Sequence, residues 1–223
     1  SNFPLGVAAL ATVGGGLDPN LEAIVALRPD VVLLAGSSRA LERLQALGLK
    51  VMALEPKTHA DLRRVWSQLA QLLEVAQADR QWQTIEADLT AVAQSLSPAA
   101  RASRVYFEVA SGPYAASEAS FIGETLARLG VKNVVPASMG PFPKINPEYV
   151  VRADPDVIMV GDVHSLELQE RPGWSGMRAM RAQRVCRFSS EQADMLVRPG
   201  PRLAEAARAM AACLASKSAQ QAP

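Results

Sequence analysis

Two glutamates occur in the same short motif at two distant places in the chain. Asn20–Glu22 is followed after six residues by Pro29–Asp30 and an apolar run, and Asn146–Glu148 is followed in the same way by Pro155–Asp156, 126 residues later at every matched position. Asparagine is a preferred helix N-cap, and a carboxylate two residues later lies at the positive end of the helix dipole. The motif predicts two short surface helices that present Glu22 and Glu148.

Each copy taken alone also has an ordinary structural explanation. A glutamate in the first turn of a helix gains a little stability from the helix dipole, and Pro-Asp before a strand is common turn chemistry. Because residue type, spacing and the following strand agree in both copies, we favour a shared role. Two such carboxylates would suit docking to a partner.

Four residues of the second half are candidates for binding a ligand. Tyr114 lies in a small, flexible loop after a predicted strand, Phe142 stands between two prolines, and Asp194 and Arg198 are four residues apart. In an open α/β sheet, ligands bind beyond the carboxyl ends of the strands, so these positions could line one cleft. Two structural alternatives stay open: Tyr114 could pack only its own loop, and Asp194 and Arg198 could form a solvated ion pair.

Residues for catalysis or intrinsic metal binding are scarce. The chain has only two histidines, His59 and His164, for which the sequence favours surface or helix-capping roles. Gly14–Gly16 lacks the further residues of a phosphate-binding loop, and the common hydrolase and calcium motifs do not occur. We therefore predict a binding protein, not an enzyme, with no intrinsic cofactor or metal.

Apolar spacing predicts an α/β chain. Residues 21–54 alternate as helix, strand, helix and strand, which indicates a parallel sheet. From His59 to about Leu96 the pattern is helical, with a break near residues 75–78, and the second helix has about 18 residues and a length of roughly 27 Å. We predict an N-terminal lobe at 1–77, a stiff connecting helix at 78–98 and a C-terminal lobe at 99–223.

Composition excludes several classes of partner. The net charge is +1, from 23 basic and 22 acidic residues, so no nucleic-acid-binding surface is expected. No apolar run reaches the roughly 20 residues that span a bilayer. Cys186 and Cys213 have neither metal-site nor CxxC spacing, so either two core thiols or one disulfide is possible. The chain starts in mid-pattern, as a chain processed from a precursor with a signal peptide, or a truncated chain, would.

Several segments together resemble the periplasmic substrate-binding proteins of the helical-backbone class, which serve ABC importers of cobalamin, haem and ferric siderophores. The resemblance covers nearly the whole chain and rests on NLEAIVALRPDVVLL, the long helix, GPYAASEASFIGETLARLGVKNVV and FPKINPEYVVRADPDVIMV. It implies two small parallel-sheet lobes joined by one helix, a monomeric periplasmic receptor and an inner-membrane ABC permease as partner. Metal would be present only within the bound ligand.

The resemblance also assigns residues. Glu22 and Glu148 match the two glutamates that dock into arginine pockets of the permease. Tyr114, Phe142, Asp194 and Arg198 match the ligand-contacting pattern of the cobalamin-binding members, which implies a corrinoid in the inter-lobe cleft. A ferric siderophore or haem is the alternative ligand.

Two departures from the family pattern concern the first lobe. Gly16 and Ala35 stand where the cobalamin-binding members have aromatic residues, so that wall of the cleft should be small. The opening strand and helix of the family fall upstream of Ser1, so we expect the N-terminal lobe to be incomplete. Two other classes stay open: an enzyme of the nitrogenase-component type, for which the cysteine clusters are missing, and a remnant that has lost ligand binding.

Overall fold

The computed structural model describes residues 3–4, 6–15, 18–110, 112–161 and 165–218, apart from the side chains of residues 165–167 and 218. It packs as two compact units, Ser1–Pro56 and Lys57–Pro223. The first unit contains a parallel pair of strands, β1 (Val32–Leu34) and β2 (Val51–Ala53). Two helices accompany them, α1 (Leu21–Ala26) before β1 and α2 (Leu41–Ala46) between the strands.

The core of the first unit is small. Ile24 from α1 and Leu44 from α2 are buried together with Ala40, and partly buried residues of both strands pack against them. A short 3-10 turn, Val7–Ala9, precedes these elements. The helix and strand order that the spacing predicts over residues 21–54 is confirmed.

The second unit is a larger α/β/α arrangement around a five-stranded sheet. Its helices are α3 (His59–Leu72), α4 (Ala78–Ser95), α5 (Pro98–Arg101), α6 (Phe121–Arg128), α7 (Pro147–Ala153), α8 (Arg178–Arg181), α9 (Ser190–Val197) and α10 (Leu203–Ser218). Its strands are β3 (Arg104–Ala110), β4 (Tyr114–Ala115), β5 (Lys132–Asn133), β6 (Val157–Val160) and β7 (Val185–Arg187). Further 3-10 turns lie at Ala137–Met139, Ser165–Glu170 and Trp174–Gly176.

The sheet order in this unit is β4, β3, β6, β7, and β5 also pairs with β3. The pairs β3–β5, β3–β6 and β6–β7 are parallel, whereas β3–β4 is antiparallel. Alternate residues of β3 enter different cores: Phe107 packs in the core that includes residues of α4, α6 and α10, and Tyr106 packs with Trp174 on the other face. Because both faces are covered, β6 is apolar throughout and β3 is mostly apolar, with Glu108 as its buried charged residue. The α/β fold class is confirmed.

The repeated motif begins a short helix with a capping asparagine in both units. The Asn20 side chain accepts a hydrogen bond from the Ala23 amide at 3.0 Å, and the Asn146 side chain accepts one from the Glu148 amide at 2.9 Å. Both asparagines are extended N-caps, as the sequence predicts. The repeat also extends to the end of each helix, where Arg28 (φ 46°) and Asp154 (φ 41°) adopt left-handed conformations before a proline.

The helices predicted between His59 and Leu96 are confirmed, including the break between Leu72 and Ala78. The compact units are divided differently from the predicted lobes, because the first unit ends at Pro56, and α3 and α4 belong to the second. There α4 packs along α10 and α3. The functional division into lobe, connecting helix and lobe stays a prediction.

Of the two possibilities for the cysteines, the structure contains the disulfide. Cys186 on β7 is bonded to Cys213 on α10, with their Cα atoms 6.0 Å apart. The bridge joins the edge strand of the sheet to the last helix. Disulfides of this structural kind are typical of oxidising compartments.

Candidate ligand-binding site

Tyr114 and Phe142 lie on two neighbouring extended segments. Residues 113–117 run antiparallel to residues 141–145: the Ala115 amide donates to the Pro143 carbonyl at 3.1 Å, and the Ser117 amide donates to the Pro141 carbonyl at 3.1 Å. This register places Phe142 opposite Ala116, so Phe142 and Tyr114 occupy diagonal positions on the same face. Diagonal neighbours are about 7–8 Å apart, which long aromatic side chains can bridge.

Both aromatic residues are exposed, at 43% for Tyr114 and 45% for Phe142. The Tyr114 ring lies against Gly112, where a Cβ atom would come within 3.0 Å of Tyr114 Cε2. Glycine therefore allows the ring to rest on the loop backbone. Since exposed aromatic pairs are costly in water, their position suits a surface that a ligand covers.

Asp194 and Arg198 form the ion pair that their spacing predicts. The Arg198 guanidinium lies 3.0 Å from Asp194 Oδ1, with side-chain exposures of 50% and 33%. Asp194 lies on α9, and Arg198 is the C-cap of that helix. An exposed ion pair of this kind adds only about 0.2–1 kcal/mol to stability. A functional role for the pair therefore has to be argued from its position in the fold.

The two candidate pairs follow different strands of the same sheet. Tyr114 follows the carboxyl end of β3, whereas Asp194 belongs to the helix that follows β7. These strands are parallel and separated by β6, which puts them about 10 Å apart. Sheet topology thus places both pairs in connections at the carboxyl-terminal edge of the sheet. Only the aromatic pair lies on segments whose backbones are hydrogen-bonded to each other.

A buried polar network near the end of β3 is not signalled by any motif. Glu108 is 1% exposed and accepts two hydrogen bonds from Arg171, at 2.7 and 2.8 Å. The Tyr106 hydroxyl donates to the same carboxylate at 3.2 Å, and the Arg171 guanidinium lies 4.5 Å from the centre of the Trp174 ring. Burial, reinforced by the Glu108 carboxylate, raises the pKa of Tyr106, which keeps its hydroxyl a donor. The network ties the segment after β6 to the sheet.

The sequence could have drawn attention to Glu108 in one way only. A glutamate that interrupts the apolar run of β3 predicts a buried charge with a partner. The partner, Arg171, is 63 residues away, and no local pattern marks it.

The two repeated glutamates are both solvent-exposed. Glu22 lies in the first turn of α1 and Glu148 in the first turn of α7. Each helix is anchored on its other side, by Ile24 and Val150 respectively, which are buried. The carboxylates are therefore presented from fixed helix ends.

The expectation of a surface or capping role for His59 is wrong. His59 is 4% exposed: its amide donates to Glu124 at 2.7 Å, its Nε2 lies 3.0 Å from Thr125 Oγ1, and its ring meets Phe121 edge-on. The neighbouring Thr58 is the N-cap of α3, which leaves the histidine free to turn inward. His164 lies outside the described residues, as does Gly16.

We expect His59 to make the protein less stable as the pH falls below about 6.5. Burial lowers the pKa of His59, against an opposing contribution from Glu124. The unfolded chain therefore binds a proton that the folded chain resists, and stability falls between the ordinary histidine pKa and the depressed folded value. Urea unfolding at pH 7.5 and 5.5 should show this loss in the wild type and a smaller one in His59→Gln. Equal losses in both proteins would contradict the assignment.

The first unit has an apolar groove of about 400 Å³ beside β1. Its lining includes Leu27, Leu33 and Ala35, together with the backbone around Gly14. Ala35 supplies no ring to this groove. The groove merges with the small core, because Ile24 and Leu44 line it too.

The described residues contain neither a candidate metal site nor a candidate membrane-spanning helix. No group of three or more histidine, cysteine, aspartate or glutamate side chains is placed to hold a metal ion. None of the described helices combines the length and apolar character that crossing a membrane requires.

Parallel α/β units of this kind are typical of proteins that bind ligands beyond the carboxyl ends of their strands. Residues 2–191 match the periplasmic binding protein family, and the chain belongs to that family. Such proteins bind substrates for transporters and are not catalytic, so the prediction that the chain is not an enzyme is confirmed.

Three proteins that are similar to the chain carry names that differ in the ligand they give. The chain is 25% identical over 211 residues to an ABC transporter substrate-binding lipoprotein of Bacillus subtilis, covering 88% of this chain and 65% of the relative. It is 27% identical over 228 residues to the vitamin B12-binding protein of Pectobacterium atrosepticum, covering 96% and 78%. A solved haem-binding protein, BhuT with two haems, shares the fold at a TM-score of 0.83 and 22% identity, covering 97% and 86%.

Proposed function

We propose that this protein is the solute-binding receptor of an ABC importer and that its ligand is a corrinoid such as cobalamin. The observation that carries the proposal is the exposed pair Tyr114 and Phe142 on one face beyond the end of β3. A corrin ring is broad and flat, and aromatic side chains supply large contact areas for such ligands. Asp194 and Arg198 would add polar contacts from the connection after β7.

We propose that the receptor docks to the permease of the importer through Glu22 and Glu148. Glu22 and Glu148 are exposed carboxylates on first helical turns, and they suit two arginine-lined pockets of an inner-membrane permease. Charge-assisted bonds between arginine and carboxylate are directional and about twice as strong as neutral hydrogen bonds. The vitamin B12-binding relative supports the proposed ligand, and the substrate-binding lipoprotein supports the proposed partner.

We further propose that the protein acts as a monomer in the periplasm. Its Cys186–Cys213 disulfide suits an oxidising compartment. In this proposal the chain has no cofactor of its own, and metal arrives within the ligand.

Haem or a ferric siderophore is the second candidate ligand. The Tyr114 phenol is exposed, and Met139, three residues before Phe142, is also exposed at 42%. Tyrosine and methionine are both known axial ligands of haem iron. The shared fold with a haem-binding protein is compatible with this alternative.

We expect the full-length protein to bind cyanocobalamin in a calorimetric or absorbance titration, alongside haemin and a panel of ferric siderophores. Tyr114→Ala should weaken binding about thirtyfold. Tyr114 as a residue is 43% exposed, which corresponds to about 90 Å² of tyrosine surface, or about 2 kcal/mol when a ligand covers it.

Leu73→Ala is the matched control, because Leu73 is an exposed apolar side chain at the end of α3. This variant should bind as the wild type does. If the protein bound none of the ligands in the panel, the receptor function would be refuted. Preferential binding of haemin or a siderophore would favour the second candidate ligand over a corrinoid.

A further inference from the structure

Lys144 stands directly opposite Tyr114. The two residues form an antiparallel bridge, flanked by hydrogen bonds from Ala115 to Pro143 (3.1 Å) and from Ile145 to Pro113 (3.0 Å). Because these hydrogen bonds join the residues on either side, Tyr114 and Lys144 do not bond to each other through their backbones. They form what is called a non-hydrogen-bonded pair, in which the two side chains project from the same face and lie closest together. The ammonium of Lys144 therefore belongs to the same face as the aromatic pair.

The charge of Lys144 is available to a ligand. Its side chain is exposed, and none of the ion pairs within the described residues involves it. In water this ammonium is well solvated. A flat ligand resting on Tyr114 would displace part of that water, and a ligand without an acidic group nearby would leave the ammonium poorly paired.

We propose that Lys144 determines the charge class of the ligand by pairing with an acidic group at the edge of its ring. The proposal rests on the proposed receptor function and on Tyr114 and Phe142 forming the face on which the ring lies. Two kinds of acidic group fit equally well, a carboxylate of a haem-type tetrapyrrole or the phosphodiester of a corrinoid. Both are strong acceptors for an ammonium group.

Two pairs of ligands distinguish the carboxylate from the phosphodiester. Haemin is compared with its dimethyl ester, in which the carboxylates are blocked, and cyanocobalamin is compared with dicyanocobinamide, which lacks the phosphodiester. Each is titrated against the wild-type full chain, Lys144→Gln and Lys144→Arg. Lys132→Gln is the control, because Lys132 is an exposed lysine at the amino-terminal end of β5.

We expect Lys144→Gln to weaken binding of the acidic ligand about tenfold, as for loss of a hydrogen bond to a charged group. Lys144→Arg and Lys132→Gln should stay within about threefold of the wild type, because both keep a cation beside Tyr114. Removing the acidic group from the ligand should weaken wild-type binding by a similar factor and should leave binding to Lys144→Gln unchanged. The ligand pair that shows this pattern identifies the acidic group.

Other outcomes overturn the inference in distinguishable ways. If the wild type binds a ligand and Lys144→Gln binds it equally well, Lys144 does not pair with an acidic group of that ligand. The inference then fails, and the receptor function stands. If the tenfold loss persists with the ligand that lacks the acidic group, Lys144 acts by another route, and the inference fails. If the wild type binds neither pair but binds a ferric siderophore, this inference fails and the receptor function stands. If it binds neither pair and no siderophore, both fail.

Discussion

Transport should be lost when Glu22→Lys and Glu148→Lys are combined, while ligand affinity stays at the wild-type value. Each substitution replaces an exposed carboxylate on a first helical turn with a cation. Against an arginine-lined pocket, a favourable charge-assisted contact becomes repulsion, and like charges across an interface cost several kcal/mol. Uptake of labelled ligand into vesicles containing the permease measures the loss, and titration of the purified receptor measures affinity.

Matched controls come from two other first-turn glutamates, Glu42 on α2 and Glu205 on α10. Both are exposed, one in each compact unit, so Glu42→Lys with Glu205→Lys makes the same change in net charge. This control should transport normally. Weakened ligand binding in the Glu22 and Glu148 variant would instead place those residues at the ligand site, and equal transport loss in the control would show a general effect of charge.

Glu108→Gln should destabilise the protein by about 3–5 kcal/mol, as for other buried ion pairs that lose one partner. The substitution keeps the shape of the side chain but removes the charge that faces Arg171, whose side chain is only 18% exposed. Arg171 would lose the charged acceptor of two of its hydrogen bonds while it remains against Trp174, and the Tyr106 hydroxyl would lose its acceptor carboxylate. Urea unfolding followed by the change in tryptophan fluorescence measures this effect.

A second ion pair supplies the comparison. Glu86 and Arg128 also make two hydrogen bonds, at 2.7 and 3.1 Å, but their side chains are 35% and 30% exposed. Arg128 lowers the pKa of Glu86, chiefly through the hydrogen bonds. Because water can replace the lost contact, Glu86→Gln should cost about 1 kcal/mol or less. If Glu108→Gln cost no more than this, the buried network would not be a major source of stability.

Local sequence patterns predicted where helices begin and end. Asn20 and Asn146 are the N-caps that the repeated motif predicts, and the break between α3 and α4 lies where the apolar stripe is interrupted. These features depend on residues close together in the sequence, so spacing and side-chain chemistry are enough to predict them.

His59 shows why local patterns do not predict burial. Its position at the start of a helix after a proline suggests a surface role, but α6 brings Phe121 and Thr125 against it from more than 60 residues away. Such a contact depends on how helices pack. Sequence spacing carries no information about it.

The sequence by itself determined the α/β class, the repeated exposed glutamates and the separate candidates Tyr114, Phe142, Asp194 and Arg198. Only the tertiary structure decided which of these lie side by side, because the pairing of residues 113–117 with 141–145 creates the face shared by Tyr114, Phe142 and Lys144. It also decided the Glu108–Arg171 pair and the Cys186–Cys213 bridge, whose partners come from separate elements. The physical reason is that helix caps and apolar stripes arise from neighbours along the chain, whereas faces, ion pairs and bridges arise from neighbours in space.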